Sequence, residues 1–223
     1  MNLVIDIGNT HTKLAVFHQY DMIDHMTIDE FTINLLKIIH QKHVQIKNMC
    51  VSSTSSKIDF IADYCYNEGI DFLHVDYKSQ LPISIKYKSP KTLGPDRIAL
   101  AVGAAMQYKG EKLVIDLGTC ITYDIILENQ YIGGQISPGV HTRLSSLSYY
   151  THKLPRVFWR HPKNKLGTTT INSMLLGVYD SVIFKVKGVI EKYKSRYPNI
   201  LVIFTGGDLK IVKKLIKNHN FIH

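Results

Sequence analysis

One pattern constrains the fold of this chain more than any other. An apolar run, an aspartate, one apolar residue and a glycine occur twice, at Leu3-Val4-Ile5-Asp6-Ile7-Gly8 and at Leu113-Val114-Ile115-Asp116-Leu117-Gly118. Asp6 and Asp116 are 110 residues apart, about half of the 223-residue chain, and Gly8 and Gly118 keep that offset. Each glycine cuts off a run that reads as a strand, and apolar alternation resumes at Leu14-Ala15-Val16-Phe17 and again from Ile121. The spacing therefore predicts a duplicated unit that begins with a hairpin. The first hairpin by itself reads either as an ordinary one with a solvated Asp and Lys, or as an anion-binding turn. On the second reading, Gly8 bares backbone N–H groups, Asn9 and Thr10 add donors, and Lys13 supplies a mobile positive charge. Asp6 would repel a bare phosphate, so a cation or its water shell is expected between them. Recurrence at Gly118-Thr119, and a third strand-to-glycine turn at Thr205-Gly206-Gly207-Asp208, favour phosphate binding. Two such hairpins facing across a cleft would clamp the phosphate chain of a nucleotide.

These residues carry a resemblance. Asp6-x-Gly8-Asn9-Thr10-x-x-Lys13, Asp116-x-Gly118-Thr119-x-x-Thr122 and Thr205-Gly206-Gly207 resemble the two phosphate motifs and the adenosine motif of the actin-like ATPase superfamily, which includes sugar and acetate kinases. Within it, Gly94-Pro95-Asp96-Arg97, Ser137-Pro138-Gly139 and Gly167-Thr168-Thr169-Thr170 resemble the type III pantothenate kinases. The likeness spans Asp6 to Gly207. It implies an α/β fold of two ribonuclease-H-like, mixed-sheet halves around a nucleotide cleft, with residues 1–93 as the first half and 94–223 as the second, the latter with a shortened C-terminus. It also implies transfer of phosphate from ATP to pantothenate, the first step of coenzyme A biosynthesis.

The resemblance assigns roles to residues. Asp6, Gly8, Asn9, Thr10 and Lys13 would hold phosphate together with Gly118 and Thr119, with Asp6 orienting Mg²⁺ through water. Asp116 corresponds to a ligand of a monovalent cation, K⁺ or ammonium. Gly206 and Gly207 would let adenine lie against the backbone. Gly94, Pro95, Asp96 and Arg97 would meet pantothenate, with Asp96 taking the proton from its hydroxyl; Tyr87 and Thr170 match further substrate contacts, and Thr170 implies a homodimer. Without the resemblance, Asp96 reads equally as an acidic residue favoured in a first helical turn, and Pro95 as the residue suited to the first helical position. Cys120 stands where alanine is common in the family. Relatives continue past the equivalent of the present C-terminus, so a more open adenine side is expected.

Composition sets the remaining bounds. No apolar run approaches the roughly 18 residues of a membrane span, and the N-terminus enters a strand with no basic-then-apolar leader. Three cysteines (Cys50, Cys65, Cys120) show no ligand spacing, and their odd number speaks against a disulfide framework. A cytoplasmic protein without nucleic-acid or membrane partners is expected. The net charge of +9 comes from scattered lysines with no arginine–aromatic module, and it suits anionic substrates or solubility.

Periodicity predicts strands over about 2–8, 12–18 and 21–28, then a helix from 29 or 30 to 43 with Phe31, Leu35, Ile38 and Ile39 on its core face. A strand over 46–53 ends in Ser52-Ser53-Thr54-Ser55-Ser56, a cluster that reads first as the cap of a helix over 57–67 that Gly69 stops, and otherwise as a ligand loop. Short strands follow at 72–75 and 83–87, and a helix opens at Gly94-Pro95. In the second half, 131–136 reads as a third strand and Ser137-Pro138-Gly139 as a helix start. Residues 148–166 read as a long aromatic and basic loop, suited to a lid, an interface or plain surface. A helix over 169–196 carries the stripe Ile171, Leu175, Val178, Val182, Val186, Val189, Tyr193. Three rival functions share parts of these features. A nucleotide-binding regulatory relative would be favoured by loss of Lys13, Asp96 or Arg97, all of which are present. A ribonuclease-H-like nuclease needs several carboxylates around two metals, and a chaperone or filament ATPase needs a longer chain.

Overall fold

The computed structural model describes residues 1–54, 58–212 and, for their backbone, 220–221. The chain forms two compact units, Met1–Leu81 with Lys88–Leu100, and Pro82–Tyr87 with Ala101–His223.

In the first unit, β1 (Asn2–Ile7), β2 (Thr12–His18) and β3 (Asp21–Ile28) form two successive hairpins. They are followed by α1 (Ile33–Lys42), β4 (Asn48–Ser53), α2 (Asp59–Glu68) and β5 (Asp71–His74). The sheet order is β3-β2-β1-β4-β5, with β4 and β5 added in parallel. Side chains alternate between faces along a strand, so Leu3 and Ile5, Leu14 and Val16, and Met49 and Val51 share one face. The helices cover it with Leu36, Ile39, Ile61 and Cys65. Burying each such side chain is worth about 1.5–3 kcal/mol relative to exposing it.

The expected face of α1 is largely kept, with Ile39 buried and Phe31 and Leu35 packed against the core, and Ile38 is its exception. Thr32 is the cap, its hydroxyl accepting from the Leu35 N–H, so the helix begins later than expected. The stripe toward the sheet then runs through Leu36 and Ile39, and Ile38 is 60% exposed. The Ser/Thr cluster also behaves differently. Ser52 and Ser53 are buried in β4, and Ile58 is the cap of α2 without a side-chain bond. Ser55 and Ser56, and the expected helix start at Lys57, lie outside the described residues. At the other end of α2, Gly69 takes φ +65°, a left-handed cap that closes the helix as anticipated.

The second unit repeats the order with β7 (Lys112–Leu117), β8 (Cys120–Leu127) and β9 (Gln130–Pro138), then α4 (Val140–Tyr150), α5 (Thr170–Arg196), β10 (Leu201–Thr205) and β11 (Asn220–Phe221). Its sheet runs β11-β10-β7-β8-β9 and adds β6 (Ser84–Ile85) in parallel beyond β9. The five shared strands thus have the same order and directions as the first sheet, which is the duplication the sequence pattern implies. β9 is longer than expected and takes in Ser137 and Pro138, leaving Gly139 as the cap of α4. α3 (Pro95–Gln107) begins on Pro95.

The core of this unit packs α5 against the sheet. Leu175, Val178, Val182, Val186 and Val189 meet Leu113, Ile115, Leu117, Val202 and Phe204. Ile171, at the start of the expected stripe, is 38% exposed. Trp159 and His161 from the 151–169 connection pack on Tyr179 of α5. The opposite face of β7 and β8 is buried as well, and it is not all apolar. Lys112 and Asp124 are buried there beside Val114 and Ile126. Among the described residues no helix is long and apolar enough to cross a membrane.

Candidate active site

In the first unit the turn between β1 and β2 spans four residues, Gly8 to His11, closed by a bond from the Gly8 N–H to the His11 carbonyl at 3.1 Å. A Cβ on Gly8 would meet that carbonyl at 3.1 Å, so the glycine allows the turn to close tightly. Gly8, Asn9 and Thr10 are exposed at the tip. Directly behind them Asp6 stands opposite Lys13 across the hairpin and opposite Ser52 on β4. Thr54 locks this end of the sheet, donating from its N–H and its hydroxyl to the Ile7 carbonyl at 3.1 and 3.2 Å.

The electrostatics around Asp6 are specific. Burial pushes its carboxyl above the usual range; Ser52 and Lys13 pull it back, and the negative charge of Asp96 pushes it further up. The Ser52 hydroxyl is close enough to act on Asp6 without forming a hydrogen bond within 3.5 Å. Asp96 occupies the first turn of α3, and its Oδ1 accepts from the Arg97 N–H at 2.8 Å. A Cβ on Gly94 would collide with the Asp96 carboxylate, so only glycine leaves that group its position. Arg97 is 5% exposed. The first unit therefore brings Asp6, Lys13 and Asp96 into one electrostatic neighbourhood, with Ser52 as a member that the sequence analysis assigned to a helix cap.

In the second unit the equivalent turn is tighter. Only Gly118 and Thr119 separate β7 from β8, with the Gly118 N–H bonded to the Cys120 carbonyl at 3.0 Å. The start of α4 is sewn onto it: the Gly139 N–H and the Thr142 hydroxyl both donate to the Thr119 carbonyl, at 2.9 and 2.7 Å. A Cβ on Gly139 would overlap the Gly118 carbonyl. Asp116 stands opposite Thr122 on β8 and Thr205 on β10. Gly206, at φ +100°, lies so close to Asp116 and Leu117 that a Cβ would collide with both, whereas Gly207 has open space around its Cα. The Asp208 N–H then bonds the Leu117 carbonyl at 3.0 Å. Burial raises the Asp208 carboxyl above its usual range, and His141, 3.9 Å away, opposes the shift. After this turn the chain forms a 3₁₀ turn at Leu209–Val212, and the continuation into a longer helix lies outside the described residues.

His141 and Thr142 beside this turn were not anticipated from the sequence, and Asp208 was anticipated only as part of the third glycine turn. Asp208 had a signal, a carboxylate directly after the third glycine turn. Thr142 had none, because its link to Thr119 crosses 23 residues. Tyr87 and Thr170 also lie in the second unit. Tyr87 follows β6 and packs against Tyr131. Thr170 is the exposed first residue of α5, after a cap in which the Thr169 hydroxyl accepts from the Asn172 N–H at 3.3 Å. It borders a groove of about 790 Å³ between α4, the 167–170 segment and α5, whose lining includes Arg143, Ser173, Met174 and Gly177. Arg143 is held by the Pro138 carbonyl at 2.8 Å and the Ser181 hydroxyl at 3.3 Å. Among the described residues no group of three or more His, Cys, Asp or Glu could hold a metal by itself.

Solved structures place the fold in a class. The chain superimposes on a putative transcriptional activator of the Baf family from Campylobacter jejuni with a TM-score of 0.62 at 20% identity, covering 99% of this chain and 90% of that one. It also superimposes on a putative 2-dehydro-3-deoxygalactonokinase from Sinorhizobium meliloti with a TM-score of 0.55 at 9% identity, covering 100% and 93%. The fold is the duplicated ribonuclease-H-like fold of the actin-like ATPases and sugar kinases. Sequence comparison narrows the class. A type III pantothenate kinase from Flavobacterium johnsoniae is 35% identical over 227 residues, spanning 99% of this chain and 91% of that protein. The type III pantothenate kinase family profile matches residues 2–192, and the chain belongs to that family.

Proposed function

We propose that the protein transfers the γ-phosphoryl group of ATP to the terminal hydroxyl of pantothenate, giving 4'-phosphopantothenate and ADP, the first step of coenzyme A biosynthesis. Family membership supports the reaction. The observation that carries it to particular residues is the grouping of Asp6, Lys13 and Asp96 within one unit, next to an exposed glycine turn. Phosphoryl transfer depends on positioning and charge neutralisation more than on covalent help from the protein. Lys13 and the turn amides at Gly8, Asn9 and Thr10 would hold phosphate oxygens, together with those at Gly118 and Thr119. Asp96 accepts the proton of the attacking hydroxyl as its oxygen bonds to the γ-phosphorus and the bond to the bridging oxygen breaks. Arg97, with Gly94 and Pro95, would contact pantothenate, as would Tyr87 and Thr170. Gly206 and Gly207 would leave room for adenine against the backbone.

The half-buried carboxyl of Asp6 fits a hydrated Mg²⁺, because burial disfavours its charge and a cation restores it. When bound, Mg²⁺ neutralises phosphate charge. Asp116 is the candidate for holding K⁺ or ammonium. Thr170 borders the groove on α4 and α5, and its likeness to a family residue at a subunit interface supports a homodimer in which this face is shared between copies. The three free cysteines fit a reducing cytoplasm. A coupled assay with pantothenate and ATP, with and without K⁺, tests the reading. Turnover is expected, dependent on K⁺ or ammonium and poorly supported by Na⁺ or Li⁺. Nucleotide binding without turnover would refute it in favour of a regulatory relative, and equal rates in all four salts would remove the cation role of Asp116.

A further inference from the structure

The polar groups buried on the second face of the β7–β8–β9 sheet have no part in the site described above. Tyr131 is 1% exposed and Asp124 is fully buried, yet the Tyr131 hydroxyl donates to Asp124 Oδ1 at 2.7 Å. Phenylalanine would fill the same volume, and burying a carboxyl group is costly unless it is hydrogen-bonded. The pair therefore fixes something that packing alone would not, and the fixed element is the Tyr131 ring.

That ring meets Tyr87 edge to face, with centroids 5.9 Å apart and planes at 69°. The backbone of the Tyr87 segment is tied to the same strand. The Ser84 N–H donates to the Asn129 carbonyl at 3.0 Å and the Lys86 N–H to the Tyr131 carbonyl at 2.8 Å, so Tyr87 is the residue just beyond the last tether. Gly133, at φ +141° next to the register irregularity between β8 and β9, lies beside the same ring: a Cβ there would come to 3.8 Å from it, an ordinary van der Waals distance. Tyr87 itself is only partly buried, and among the described residues its hydroxyl has no hydrogen-bond partner. A tyrosine held by a backbone tether on one side and by an anchored aromatic against its ring, with its polar tip unbonded, is arranged to present that tip to a ligand.

We propose that Tyr131, anchored by Asp124, is a positioning residue that sets the orientation of Tyr87 toward the polar chain of the acceptor substrate. The inference rests on the reading of Tyr87 as a pantothenate contact.

Steady-state kinetics of Tyr131→Phe test it, because the substitution removes one hydroxyl and keeps the ring. The pantothenate KM should rise about 3- to 10-fold, the range expected when a hydrogen bond to a buried acceptor is lost, and the ATP KM should stay unchanged. In a Tyr87→Ala background, Tyr131→Phe should have no further effect on pantothenate KM, since its route runs through that ring. Full persistence of its effect in that background, or equal shifts in both KM values, would overturn the proposal. If Tyr131→Phe does not fold, Asp124→Asn weakens the same hydrogen bond from its acceptor side and should raise pantothenate KM alone. An active wild type whose pantothenate KM ignores both substitutions refutes the positioning role only. A wild type that does not turn over pantothenate refutes the functional reading and this inference with it.

Discussion

Replacing Asp96 by Asn separates proton transfer from everything else the residue does. Its Oδ1 accepts the Arg97 N–H at 2.8 Å, and an amide oxygen can keep that bond. The collision that excludes a Cβ at Gly94 involves the same atom, so Asn fits the same space. What disappears is a negative charge in the first turn of α3, worth about 0.3–1 kcal/mol through the helix dipole. Since each kcal/mol moves the midpoint of a chain this size by roughly 2–4 °C, thermal stability should fall by only a few degrees. The rate should fall far more, on the order of 10²–10⁴ in kcat for loss of a general base, equivalent to about 2.7–5.4 kcal/mol of barrier. A second consequence follows at Asp6. The charge of Asp96 helps push the Asp6 carboxyl up, so Asp96→Asn should lower it, and the acid side of the pH profile for Mg²⁺-ATP binding should move to lower pH. Stopped-assay kcat, calorimetric ATP affinity between pH 4 and 7, and a thermal melt measure the three effects. Turnover within a few-fold of wild type would show that Asp96 is not the base, whatever the melt and the binding curve show.

Other perturbations should separate other parts of the site. Lys13→Ala removes charge from the exposed hairpin and should weaken ATP affinity and kcat together, by about tenfold or more for a charge-assisted contact; kinetics at varied ATP check it. Gly206→Ala demands φ +100° of an alanine and drives its Cβ into Leu117 and Asp116. It should cost about 2 kcal/mol or more, seen as a lower urea midpoint with weaker nucleotide binding. Lys42 and His43 hold the Asp24 carboxyl down to about 2 by hydrogen bonding, tying the end of α1 to β3. A lowered folded-state value means that this contribution is complete above the unfolded range near 4 and lost as pH falls through about 2. The stability difference between wild type and Asp24→Asn should therefore be modest at pH 5 and vanish between about pH 4 and 2 in urea titrations. Light scattering at assay concentration should show a dimer, and an active monomer would remove the shared-groove reading.

Strand alternation made β1, β2 and β3 legible, because a half-buried sheet imposes a period that local residues satisfy by themselves. The repeat of Asp-x-Gly made the second sheet legible for the same reason. Helix faces were less so. Thr32 caps α1 and sets where it begins, the buried residues of the helix are Leu36 and Ile39, and of the expected face Ile38 alone is exposed. Ser52 was read as part of a cap because serine clusters commonly are caps; its place beside Asp6 depends on β4 pairing with β1 across 46 residues of chain. Likewise no local pattern distinguishes Lys112 as a buried lysine, although the structure leaves it 1% exposed with its Nζ donating to the Gly110 carbonyl at 2.6 Å. Tertiary partners made these assignments.

The two hairpins share one pattern but differ in build. Opposite Asp6 stands a lysine, exposed and charged; opposite Asp116 stands Thr122, which is buried and neutral. The first turn has four residues and an open tip, and the second has two and is bonded to the start of α4 through the Thr119 carbonyl. A long side chain with a charge can follow a group whose position changes, while backbone amides fixed by neighbouring bonds favour one position. On the proposed reading, the first hairpin follows the phosphoryl group as it moves from ATP to the acceptor, and the second holds the part of the phosphate chain that stays behind. The asymmetry extends to the residues beside each aspartate, Ser52 in one unit and Thr205, leading into the left-handed Gly206, in the other. The two turns thus differ in the residue opposite each aspartate and by two residues in length, and on the proposed reading those differences divide the work between them.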